Sequence, residues 1–99
     1  MHIDISLEHG TMRLHGRFDY STHAEFMQRA KHFVEGTESA QLSLDLGQLE
    51  YIDSSALGML LMMRDLAKRS DKSIALLNVK GYVRQVVGNA QFSRLFEIT

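Results

Sequence analysis

The stretch from Asp45 to Gly58, DLGQLEYIDSSALG, decides the fold because two kinds of structure meet inside it. Its first residues complete a short run over 41–46 in which apolar and polar residues alternate with the period of a β-strand. Its last residues open the apolar segment ALGMLLMM at 56–63, which is typical of a helix that packs against a sheet. The sequence therefore predicts a strand at 41–46, a junction, and a helix.

Three small polar residues, Asp53, Ser54 and Ser55, stand at this junction. The predicted helix begins at Ser54 or Ser55 and runs to about Ser70. Either Asp53 or Ser54 would be a favourable N-cap, which is one interpretation of the triplet. The other is a modification site, because a helix N-terminus offers free N–H groups and a positive dipole end to a phosphate. Spacing alone leaves both interpretations open.

The rest of the chain alternates between strand and helix patterns. Period-two alternation predicts strands over 3–8 and 12–17, joined by a turn at His9-Gly10. A capping box of Thr22 and Glu25 predicts a helix through Val34, whose apolar face would hold Phe26, Ala30, Phe33 and Val34. Further on, we expect a central strand at 73–78, a helix at 79–89 and a final strand at 95–98.

This order predicts an α/β fold. The first two strands should be antiparallel, and the later ones, joined through helices, should be parallel with right-handed crossovers. We therefore expect one domain spanning 1–99, with a mixed sheet of about five strands and helices packed on it.

Composition excludes several classes of function. The 99 residues carry a formal net charge of -1 and no cysteine, which leaves no basic field for nucleic acid and no thiol chemistry. No apolar run is long enough to span a membrane, and the N-terminus is too polar for a signal peptide. We expect a cytoplasmic protein that has neither nucleic acid nor membrane as a partner.

Enzymatic chemistry has little support in the sequence. The five histidines show no metal-ligand spacing, and no nucleotide-binding glycine loop is present. Ser55 lacks the G-x-S-x-G context of a hydrolase nucleophile, and His23 reads as an exposed residue of a helix's first turn. We therefore expect no catalytic activity, no metal and no cofactor.

The junction resembles the signature of STAS domains, in particular the stand-alone anti-sigma factor antagonists of bacteria. DSSALG at 53–58 matches the family's Asp-Ser-Ser-Gly-Leu-Gly, with Ala56 in place of a glycine, and GRFD at 16–19 looks like its Gly-x-Leu-Asp turn. VRQVV at 83–87 and RLFEI at 94–98 look like its last helix and strand. The resemblance thus covers nearly the whole chain.

The resemblance implies a binding module that is switched by phosphorylation. Its unphosphorylated form would bind an anti-sigma factor that is often a serine kinase of the histidine-kinase ATPase fold, and a metal-dependent serine phosphatase would restore that form. Ser55 would accept the phosphate, Asp53 and Ser54 would shape its loop, and Asp19 would contribute to the contact surface. The alternative is a constitutive STAS scaffold or adaptor in a multi-protein sensor or transport complex.

The first two turns of the predicted helix are apolar all round, which also has two interpretations. One is deep burial between the sheet and a neighbouring helix; the other is an exposed docking stripe. Helical spacing aligns Ser55, Met59, Met62 and Leu66, and methionine is common on binding surfaces. Met59 and Met62 are therefore candidate partner contacts, although the pattern does not say which faces outward.

Overall fold

The computed structural model describes residues 3–8 and 10–99, with all of their side chains except those of Ile3, Asp4, Ser6 and Glu8. The strands in this part of the chain are β1 (Ile3–Glu8), β2 (Thr11–Phe18), β3 (Gln41–Ile52), β4 (Ser73–Leu77) and β5 (Glu97–Ile98). The α-helices are α1 (His23–Gly36), α2 (Ser54–Arg69) and α3 (Gly81–Asn89). Short 3₁₀ turns at Tyr20–Thr22 and Phe92–Arg94 precede α1 and β5.

The strands form one sheet in the order β1-β2-β3-β4-β5. β1 is antiparallel to β2, whereas β2, β3, β4 and β5 run parallel to one another. The predicted α/β class and the predicted pairing directions are therefore confirmed. Gly10, which follows β1, has a φ of +79°, a value that glycine adopts without strain; His9, the other residue of the predicted turn, lies outside the described residues.

The hydrophobic core is formed by alternate residues of the strands and by one side of each helix. The face predicted for α1 is confirmed, since Phe26, Ala30, Phe33 and Val34 are all buried. The rings of Phe18 and Phe26 lie 4.6 Å apart between centroids and join the end of β2 to α1. The buried strand residues that meet this helical layer include Met12 and Leu14 of β2, Leu42, Leu44 and Leu46 of β3, and Ile74 and Leu76 of β4.

β3 is longer than the sequence predicts and continues through Ile52. The residues after Leu46 resemble a loop because Gly47 interrupts the alternation. They remain in the sheet because they pair with the end of β2, where Tyr51 lies beside Arg17 and Ile52 beside Phe18. β4 ends at the level of Asp45, so the last residues of β3 extend beyond it as an overhang.

Thr22 is the N-cap of α1, as the sequence predicts, but the side-chain bond of the predicted capping box is not formed. Thr22 makes no side-chain cap bond, and its hydroxyl instead donates to the carbonyl of Asp19 at 2.8 Å. Asp19 accepts from the N–H of Ser21 at 3.0 Å and from its hydroxyl at 2.6 Å. These bonds form a 3₁₀ turn at Tyr20–Thr22, and α1 follows it from His23.

A carboxylate network, the Asp45 cluster (Arg13, Asp45, Gly47 and Asn78), joins three neighbouring strands. One oxygen of Asp45 accepts from Gly47 N at 2.9 Å and Asn78 Nδ2 at 3.1 Å, and the other accepts from Arg13 Nε at 3.3 Å. Burial by itself raises the pKa of Asp45, but these hydrogen bonds outweigh burial and hold the pKa below its ordinary value. A Cβ on Gly47 would lie 2.9 Å from that of Asn78, so glycine is required for this close approach.

Candidate functional site

The junction between β3 and α2 is organised by Asp53, which is the N-cap of α2. Its Oδ1 accepts from Ala56 N at 2.9 Å, the bond that an N-cap residue is expected to make to the third helical position. Asp53 has extended backbone, with φ -121° and ψ 179°, and the helix starts at Ser54. The cap is therefore Asp53, and neither serine hydroxyl is needed for it.

The two serines occupy the first two positions of the helix. Ser54 is exposed and Ser55 is half-buried. Their backbone N–H groups, like that of Ala56, belong to the helix's opening turn, where no intrahelical acceptor is available. Asp53 caps the N–H of Ala56. A hydroxyl at Ser55 therefore lies at the positive end of α2, in an environment that suits an added anion.

The turn that follows β2 is bound directly to this junction. Tyr20 N donates to Asp53 Oδ2 at 3.4 Å, and Asp53 N donates to the carbonyl of Phe18 at 3.3 Å. Asp19, which the resemblance implies is part of a contact surface, thus lies at the same end of the sheet as Asp53. The hydroxyl of Ser21 donates to Asp19 and, together with the Ser21 N–H and the Arg17 guanidinium 3.7 Å away, holds the pKa of Asp19 below its ordinary value.

A stack of three side chains, which the local sequence patterns do not predict, borders the same end of the sheet. The Arg17 guanidinium lies 4.1 Å from the centre of the Tyr51 ring. The Tyr82 ring, from the first turn of α3, stacks on Tyr51 with centroids 5.8 Å apart and planes 13° apart. The side chains come from three elements, so only knowledge of the strand register could have brought them together. Tyr82 and Tyr20 are well exposed, at 49% and 75%, and both rings are available for contact with another molecule.

The aligned residues of α2 do not form one exposed stripe. Met59 is 1% exposed and belongs to the core, so its expected place on a docking surface is wrong. Met62, three residues later, is 47% exposed. Three residues turn an α-helix by about 300°, so Met62 lies about 60° around the helix from Met59. Met59 lies at the edge of the buried side of α2, and this offset places Met62 beyond that edge. Leu61 adds a second exposed apolar side chain beside Met62.

The described residues hold no group of three or more histidine, cysteine or acidic side chains close enough to bind a metal. His15 and His23 are both exposed. Within the same residues, no helix is both long and apolar enough to cross a membrane. The chemistry of the site is therefore that of a capped helix start with two hydroxyls, bordered by carboxylates and exposed aromatic rings.

Comparison with known proteins agrees with this geometry. Residues 1–97 match the family described as "Mlab, STAS domain". A STAS-domain containing protein of Pseudomonas aeruginosa (strain UCBPP-PA14) is 35% identical over 89 residues, which cover 90% of this chain and 86% of that protein.

Three solved structures share the fold at lower identity. An anti-sigma factor antagonist from Mycobacterium paratuberculosis has a TM-score of 0.80 and 15% identity, covering 97% of this chain and 82% of that chain. The Bacillus cell fate determinant SpoIIAA in its phosphorylated form has a TM-score of 0.68 and 14% identity, covering 98% and 90%. A sulfate transporter family protein from Wolinella succinogenes has a TM-score of 0.71 and 13% identity, covering 94% and 79%.

These structural likenesses establish the fold alone, because all three identities are low. The family match spans nearly the whole chain and includes the start of α2, where Asp53 is the cap and the serine pair follows it. The chain belongs to the STAS domain family.

Proposed function

We propose that this chain is an anti-sigma factor antagonist whose binding is switched by phosphorylation of Ser55. The observation that carries the proposal is the division of roles at the helix start. Asp53 supplies the cap through Oδ1, which leaves the half-buried Ser55 hydroxyl at the positive end of α2. The solved phosphorylated form of a protein with the same fold supports this choice of chemistry.

A phosphate on Ser55 adds about -1.5 to -2 charges at pH 7. The helix dipole favours that charge by about 0.3–1 kcal/mol, so the domain keeps its fold. The cost falls on the interface, where the phosphate must be desolvated and meets like charge from the partner. Juxtaposed like charges cost several kcal/mol, so we expect an affinity loss of about 100-fold or more.

The contact surface would surround this serine. Tyr20 is hydrogen-bonded to Asp53, two residues before Ser55, and Asp19 lies between Tyr20 and Phe18, which is bonded to Asp53 as well. Met62 supplies an exposed apolar side chain on the same helix. The partner would be an anti-sigma factor that is also a serine kinase of the histidine-kinase ATPase fold. A metal-dependent serine phosphatase would reverse the modification, and all three proteins would meet in the cytoplasm. ATP belongs to the kinase, so this chain itself needs no cofactor and performs no catalysis.

The test combines labelling with titration. The kinase encoded nearest to this gene, with ATP, should label wild type and Ser54→Ala but not Ser55→Ala. Calorimetric titration should give tight binding of that kinase to the unmodified chain and to Ser55→Ala, and binding weaker by about 100-fold to the phosphorylated chain. Equal labelling of Ser55→Ala would move the modification elsewhere, and equal affinities of the two forms would end the switch.

A constitutive scaffold or adaptor within a multi-protein sensor or transport complex is the second candidate. It is favoured by the shared fold of a sulfate transporter family protein. The two candidates differ in the state of Ser55 in the cell. An intact mass of the protein isolated from its native cells should show a phosphorylated fraction if the chain is a switch, and only the unmodified mass under all growth conditions if it is a scaffold.

A further inference from the structure

A cavity of about 540 Å³ lies at the amino ends of β3 and β4. Its lining comes from the first residues of these two strands, the last turns of α2 and the segment that enters β5. Ser55 follows the carboxyl end of β3, so the cavity and the serine lie at opposite ends of the sheet. The volume is within the range of about 300–1,000 Å³ that is typical of small-molecule sites.

The cavity opens where the sheet becomes narrower. β4 runs from Ser73 to Leu77, but β5 pairs with it only at Ala75 and Leu76. The first two residues of β4, Ser73 and Ile74, therefore extend beyond the end of β5, and both line the cavity. The short last strand is thus the physical reason for the opening.

The charged lining is predominantly cationic. Arg64, Lys68 and Lys72 border the cavity, against the single carboxylate of Glu97. Arg64 Nε donates to the carbonyl of Leu95 at 2.9 Å, which holds the guanidinium in place and leaves both Nη nitrogens as donors for a ligand. Such a fixed guanidinium suits a carboxylate, since it can donate two parallel hydrogen bonds.

The other two cations differ in their freedom. Lys72 Nζ donates to the carbonyls of Val34, at 2.6 Å, and Thr37, at the end of α1. Its charge is therefore fixed but already hydrogen-bonded. Lys68 is exposed in the last turn of α2 and is able to move onto a ligand. Arg64 and Lys68 are thus the two groups that would contact an anion directly.

Six of the nine uncharged lining residues are apolar, and the other three are Gln41, Ser43 and Ser73. Ala67 and Ile74 are buried, and Leu77 and Leu95 are partly exposed where they line the cavity. A free inorganic anion would leave this surface in contact with water. A molecule with an apolar body and an anionic end would cover the apolar part and meet the cationic part.

We propose that this cavity binds a small organic carboxylate with a short alkyl chain. The carboxylate contacts Arg64 and Lys68, and the chain lies over Ala67, Ile74 and Leu95. The proposal does not depend on the modification of Ser55 or on any partner protein, because every residue it uses lies at the other end of the sheet.

The experiment is a titration of the full chain with octanoate, below the concentration at which it forms micelles, followed by amide NMR. We expect saturable shifts confined to residues 64–68, 73–77 and 95–97, with a dissociation constant on the order of 1 mM. Lys68→Glu should weaken binding by about tenfold. Lys80→Glu makes the same charge change at the other end of the sheet and should leave binding unchanged.

The control ligand is 1-octanol, which has the same chain and no charge. Octanoate should bind more tightly than octanol by about tenfold. Equal binding of the two ligands, shifts spread over the whole surface, or equal affinities of the Lys68→Glu and Lys80→Glu variants would each overturn the proposal. A thermal melt of both variants ensures that folded proteins are being compared.

Discussion

Asp45, within β3, and Asp53, directly after it, both accept hydrogen bonds through their carboxylates, but the two sets of bonds have different structural roles. The Asp45 carboxylate accepts from the backbone N–H of Gly47 and from two side chains, Arg13 on β2 and Asn78 after β4, so it joins strands. The Asp53 carboxylate receives two backbone N–H groups, from Ala56 and Tyr20, so it shapes a helix start and the turn beside it. The first arrangement joins strands of the sheet, whereas the second starts a helix without using the hydroxyls of Ser54 and Ser55.

The contrast teaches that the partners of a carboxylate, and not the carboxylate itself, indicate its role. A network of side chains from different strands ties those strands together. A cap made with backbone donors leaves the side chains next to it available for modification or contact. The two sides of α2 differ in a similar way. The core-facing side packs into the fold, whereas the outward-facing side is available for contact.

The largest expected effect comes from placing a charge on the core-facing side of α2. Met59→Lys should lower the free energy of unfolding by more than about 4 kcal/mol, because the charge would be buried without a partner. Met62→Lys, its matched control on the exposed side, should stay within about 0.5 kcal/mol of wild type and weaken partner binding. Urea denaturation of both variants measures the difference. Equal destabilisation by both would remove Met62 from the contact surface.

The next largest effect concerns the Asp45 cluster. Asp45→Ala should lower the free energy of unfolding by about 2–3 kcal/mol, since hydrogen bonds to a charged, partly buried group are lost. Labelling of Ser55 should be unaffected. Asp45→Asn keeps an acceptor and should lose less. A change in denaturation midpoint as small as that of an average surface substitution would show that the cluster does not hold the strands together.

Removing the cap should give a smaller change in stability and a larger change in function. Asp53→Ala should cost about 1 kcal/mol, the usual value for an N-cap residue, while labelling of Ser55 by the kinase falls sharply because the loop loses its bond to Tyr20. Asp53→Asn caps nearly as well and should preserve stability. If the kinase labelled Asp53→Ala as fast as wild type, the cap would not be needed for modification of Ser55.

The smallest effect is the pH dependence of the contribution that Asp45 makes to the free energy of unfolding. The pKa of Asp45 is lower in the folded chain than its ordinary value of 3.8, so the carboxylate stabilises the fold above pH 3.8 and this contribution is lost as the pH falls through the folded pKa. The stability difference between wild type and Asp45→Ala should therefore be complete at neutral pH and shrink below about pH 3.8. A difference that stays constant down to pH 2 would contradict the assignment.

Local patterns predicted the parts of the molecule that depend on local structure. The apolar face of α1 and the helix start behind Asp53 follow from helical periodicity and cap preference, which act over a few residues. The pairing directions of the strands follow from the lengths of the connections between them. The serine pair could also be recognised, because the motif that contains it is continuous in sequence.

Features that depend on strand register could not be predicted. The overhang of β3 exists because residues after Gly47 pair with the end of β2, although their own pattern resembles a loop. The bond between Tyr20 and Asp53 and the stack of Arg17, Tyr51 and Tyr82 join segments far apart in sequence. Neither periodicity nor propensity carries that information, since both describe only neighbours along the chain.

The strand order β1-β2-β3-β4-β5 has a consequence for how the protein is made. Each strand pairs with the strand that precedes it in the sequence. No strand has to insert between two strands that have already paired. The sheet can therefore form strand by strand during translation, because the pairing partner of each new strand has already left the ribosome. The outer edge of β4 stays unpaired until Glu97 and Ile98 have been synthesised, because β5 pairs there.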